Sequence, residues 1–148
     1  MSDKPRNNPA STSVQLVAGG ILAGTLFYAA LGAALVHFKL VQLHILSEGM
    51  SHVLGIVFLC VGASLVVTSF LLRRMIEKRL LPYGSALSVR FLIVMVSMSL
   101  ADTAGVLGLV HAILSGTLGY AFLLWSCALA GCILHFPTRS WLEKGITN

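Results

Sequence analysis

Residues 91–138 form a run of 48 positions with one charged side chain, Asp102. A helix rises about 1.5 Å per residue and a bilayer core is about 30 Å thick, so one crossing uses about 20 apolar residues. The run is twice too long for a single crossing and must fold back on itself. Turn chemistry stands midway, at Ser115-Gly116-Thr117-Leu118-Gly119. Two further charge-free runs, 7–38 and 49–72, supply one crossing each. Four helices are therefore expected, over 13–38, 51–79, 85–115 and 118–136.

Composition leaves no room for a water-facing coat. Of the 148 residues 57% are hydrophobic and 10% charged, against about 25% charged in a soluble domain. Three cysteines, an odd number inside apolar runs, read as buried small hydrophobes and not as a disulfide framework. The fold class expected is an all-α, integral membrane four-helix bundle over residues 13–136. A polar, disordered tail over 1–12 precedes it, without the basic-then-apolar order of a signal peptide, and a short tail over 137–148 follows. Ser11 or Ser13 is the expected N-cap of the first helix, Pro137 stops the last, and Trp141 suits the headgroup level.

Basic residues set the orientation. Lys4, Arg6, Arg73, Arg74, Lys78, Arg79, Arg90, Arg139 and Lys144 fall on one side of a chain that crosses four times, and Lys39 alone on the other. The positive-inside rule then puts both termini in the cytoplasm, as in a bacterial-type inner membrane. The net charge of +5 is accounted for by that asymmetry and calls for no nucleic acid. Leu40, Leu43 and Leu46 suggest a short interfacial helix in the outer connection. The basic run after Leu72 reads as the second helix continuing until Pro82 and Gly84, with Glu77 one turn from Arg73.

Asp102 is the residue most open to chemistry. Eleven uncharged residues separate it from Arg90 and thirteen from Gly116, and a central Asp costs about 2.5 to 3.5 kcal/mol on insertion scales. Burial disfavours the charged form, so it is expected to be neutral unless a cation or several donors reach it. Two roles follow: an ion or proton carrier, or a neutral group hydrogen-bonding a neighbouring helix, supported by Ser99 or Thr103.

The stretch Ser99-Leu100-Ala101-Asp102-Thr103-Ala104-Gly105-Val106-Leu107-Gly108-Leu109-Val110 resembles the carboxylate helix of rotary ATP synthase c subunits, in which an acid precedes a Gly-x-x-Gly-Leu-Val string. More widely, residues 90–139 are similar to small bacterial membrane proteins described as c-subunit-like. The resemblance implies that Asp102 is an ion-binding carboxylate and that Gly105 and Gly108 are helix-packing positions. Departures are an Asp where Glu is usual, only Gly55 and Gly62 in the preceding helix, and extra helices at both ends. Ring assembly is not implied by a match of this extent.

Gly20, Gly24 and Gly32 of the first helix form a small-residue row that lets another backbone approach, within the bundle or from another subunit. His37, His44, His52 and His111 all fall toward the outer ends of their helices or in the outer connection, which permits a metal or haem site. No two of them have i, i+3 or i, i+4 spacing, so they read as polar anchors and no cofactor is expected. No phosphate loop, nucleophile elbow or paired carboxylates appear, so catalysis has no support. The expected function is a non-catalytic subunit of a larger membrane complex, its partners being lipid and other membrane subunits or further copies of itself. The alternatives are a proton or cation translocator using Asp102 and, more weakly, a haem-binding electron-transfer subunit.

Overall fold

A computed structural model describes residues 9–40, 46–80, 86–138 and 141–142. Four helices make up the described chain: α1 (Pro9–His37), α2 (Glu48–Leu80), α3 (Ala86–Ser115) and α4 (Gly119–His135). Three of them are long and apolar enough to cross a membrane. With 17 residues, α4 lies at the lower limit for a crossing, because the Gly116 turn and Pro137 bound it on both sides.

α1 begins four residues before the expected start. Proline at the first helical position gives up no hydrogen bond and brings a preset φ, so Pro9 opens the helix, and neither Ser11 nor Ser13 caps it. Residues 9–12 of the expected tail are thus helical, and residues 1–8 lie outside the described chain. The 33 residues of α2 span about 50 Å, well over one bilayer core, and carry the helix through Arg73 to Arg79 as its charge run suggests. Pro82, Gly84 and residues 41–45 of the outer connection, His44 included, are not among the described residues, so the expected interfacial helix there lies outside them.

Two helices end on left-handed residues. At the end of α1, the Leu40 N–H donates to the Leu35 carbonyl and the Lys39 N–H to the Val36 carbonyl, with Lys39 at φ 50. That is a Schellman closure with lysine in the place glycine usually fills. At the end of α3, Gly116 takes φ 64, and the Ser115 hydroxyl, 3.1 Å away, accepts from the Thr117 N–H.

α3 and α4 form a hairpin on which both α1 and α2 pack, while α1 and α2 make little contact with each other. The hairpin seam is built of alanines, with Ala101, Ala104, Ala112, Ala121 and Ala128 fully buried. Where the helices cross most closely even a methyl is excluded: a Cβ on Gly131 would stand 2.8 Å from the Ala101 Cβ. Lipid is as apolar as a leucine side chain, so such seams hold through van der Waals contact between close backbones and not through apolar burial. Large apolar residues accordingly face outward, among them Leu16, Phe27, Val53, Val67 and Leu134. Cys132 is buried, but Cys60 is exposed on that outer surface and Cys127 half-buried, so the expectation that all three are buried fails.

Candidate functional site

Polar groups gather at three levels of the bundle. At mid-height, the Thr25 hydroxyl of α1 lies 2.5 Å from Asp102 Oδ1 of α3 and 3.2 Å from the Ile21 carbonyl. The Cys132 thiol of α4 stands 3.7 Å from the same hydroxyl and 3.9 Å from the Met98 carbonyl. One turn beyond Asp102, the Trp125 indole N–H donates to the Gly105 carbonyl at 3.2 Å. Asp102 itself is half-buried, and the one ion pair among the described residues, Arg73 with Glu77, lies elsewhere.

The sequence pointed to Ser99 or Thr103 as support for Asp102, and neither serves. Thr103 donates to the Ser99 carbonyl of its own helix at 2.9 Å and is spent there. Thr25 takes the role from 77 positions away. An isolated threonine in an apolar helix gives no local signal of a partner so distant in sequence.

The packing glycines divide into two groups. A Cβ on Gly32 or Gly108 would strike the Trp125 ring, at 2.6 and 2.7 Å, and one on Gly105 would crowd Thr25 at 3.2 Å. Those three lie inside the bundle. Gly20 and Gly24 have nothing within 4 Å of the same construction, so their row is open within a single chain.

At the end carrying the α3–α4 turn, His111 is fully buried. Its Nε2 lies 3.3 Å from the Ser51 carbonyl of α2 and its Nδ1 3.3 Å from the Ser115 hydroxyl, so it ties helices together. This corrects its reading as an interfacial anchor: position 111 falls on the α3 face that meets α2 and α4. His52 is exposed, with Nδ1 3.3 Å from the Tyr120 hydroxyl, and the Tyr120 ring also meets the edge of His111. A cleft of about 420 Å³ opens beside them, lined in part by Glu48, His52, Thr117 and Tyr120. His37 is exposed at the end of α1 against Phe38. Among the described residues no three His, Cys, Asp or Glu side chains are grouped to hold a metal ion.

The opposite end is basic. His135, fully packed, has Nε2 2.8 Å from the Ser69 hydroxyl and lies against Phe70. Arg73 forms the expected pair with Glu77 at 3.1 Å, and its Nη1 lies 3.3 Å from His135 Nδ1. Trp141 lies beneath two guanidinium groups, Arg73 at 5.2 Å and Arg90 at 4.9 Å from its ring centre, and Leu142 is fully buried beside Val14 and Val94. Trp141 and Leu142, within the stretch expected to be a simple tail, therefore pack against the base of the bundle.

Compared with protein families, with curated proteins and with solved structures, this chain matches none.

Proposed function

We propose that this chain is a non-catalytic polytopic subunit of a larger complex in a bacterial-type inner membrane, its basic end and both termini cytoplasmic. The observation that supports this reading is the open glycine row of α1. Gly20 and Gly24 present bare backbone with nothing within 4 Å, while Leu16 and Phe27 beside them point outward. A small-residue face of this kind gains most from a second helix laid directly against it. Mild-detergent purification is the test. Wild type should bring other chains with it, and Gly24→Leu should lose them while melting as wild type does, since no neighbour within the chain stands in its way. Undiminished co-purification by Gly24→Leu overturns the reading.

A second reading, proton or cation translocation through Asp102, is favoured by one specific geometry. Thr25 has a single hydroxyl hydrogen and two acceptors in reach, the Ile21 carbonyl and Asp102. A protonated Asp102 donates to Thr25, whose hydrogen then serves Ile21; an ionised Asp102 takes that hydrogen itself. One cluster thus accommodates both states of the carboxyl. On this reading Asp102→Asn abolishes proton-coupled activity with the fold intact, and a carbodiimide labels Asp102 less as pH rises. Retained function in Asp102→Asn together with pH-independent labelling removes the translocator reading and leaves Asp102 as a tie between α1 and α3.

A further inference from the structure

Arg90 is 7% exposed, and its Nε and Nη1 find no hydrogen-bond partner. A buried guanidinium keeps its charge at any physiological pH, so it needs a counter-charge or a full set of acceptors. Trp141 supplies one aromatic face, which attracts a cation but accepts no directed hydrogen bond from its ring nitrogen. The same ring also lies under Arg73. Two guanidiniums thus converge on one indole, and the carboxylate beside them, Glu77, is held by Arg73.

We propose that Arg73 and Arg90, which converge over the Trp141 ring, form a discrete site for one phosphate-bearing anion at the basic end of the bundle. A tetrahedral phosphate offers several acceptor oxygens and can answer two guanidiniums at once, where a single carboxylate has already gone to Arg73. Arg73, 22% exposed, is the accessible member of the pair, and Arg90 the buried one. The early position of Arg90, the fifth residue of α3, adds the positive end of the helix to the same field. Phosphate can come from two sources, the headgroup of an anionic lipid or the free ion in solution.

The full chain in nanodiscs distinguishes the sources. In equimolar phosphatidylcholine and phosphatidylglycerol, native mass spectrometry should find one phosphatidylglycerol retained per chain if the headgroup is the ligand. In phosphatidylcholine alone, inorganic phosphate should raise the melting midpoint saturably if the free ion is the ligand. Either response should weaken at least tenfold in Arg73→Gln and vanish in Arg90→Gln, while Arg74→Gln, an exposed cation on the same end, leaves it unchanged. If Arg90→Gln does not accumulate, Arg73→Gln decides alone. No response to either probe, the result expected if a carboxylate of this chain already neutralises Arg90, overturns the proposal. So does equal weakening by Arg74→Gln, which would mark diffuse attraction to a basic surface.

Discussion

Lys39 and Gly116 hold the same left-handed backbone at corresponding places, just past the ends of α1 and α3. Glycine takes that conformation freely, and any residue with a Cβ gives up about 1–2 kcal/mol to do so. The two positions should therefore respond in opposite directions. Gly116→Ala should lower the melting midpoint in detergent by an amount corresponding to about 1–2 kcal/mol, and Lys39→Gly should raise it by a similar amount. Equal midpoints across both variants would show that helix closure contributes nothing measurable. Gly116 was legible because turn residues surround it. Lys39 was not, since a Schellman closure is defined by backbone bonds that a lysine does not announce. The Thr25 contact with Asp102 was hidden for a different reason, the long sequence separation between its partners.

At the scale of elements, charge-free length and turn residues place all four helices to within a few residues at each end. The larger shift is at α1, where the polar composition of residues 1–12 suggests a tail although Pro9 is at home in a first helical turn. Which face of a helix is inward was less legible. In lipid both faces are apolar, so the hydrophobic periodicity that betrays the inner side of a soluble helix is missing. The glycine row of α1 shows the result: Gly32 meets Trp125 while Gly24 and Gly20, about two and three turns away, meet nothing in this chain. His111 departs from its expected place for the same reason, since sequence gives its depth along α3 and not its direction. The pairing of Trp141 with Arg73 and Arg90 needed the fold as well, since it joins the end of α2, the start of α3 and the segment after α4.

For the molecule as a whole, the charge asymmetry of the sequence, with Arg73, Arg74, Lys78, Arg79 and Arg90 at one end among the described residues, carries a direct consequence for topology. Reporters fused before Met1 or after Asn148 should lie in the cytoplasm, and reporters inserted at Ser47 or Thr117 on the far side. An external C-terminus would mean that α4, the shortest helix, does not cross. The packing order adds something about manufacture. α1 and α2 make little contact with each other, and each is held by the α3–α4 hairpin. A ribosome delivers the two flanking helices before the hairpin that holds them both. The half-finished chain consequently has almost nothing to fold against, and its first half finds no native arrangement until α3, which meets both flanking helices, emerges. A stop codon after α2 should leave two separate helices for the cell's quality control to remove, and the arrival of α3 becomes the step that commits the bundle to its shape.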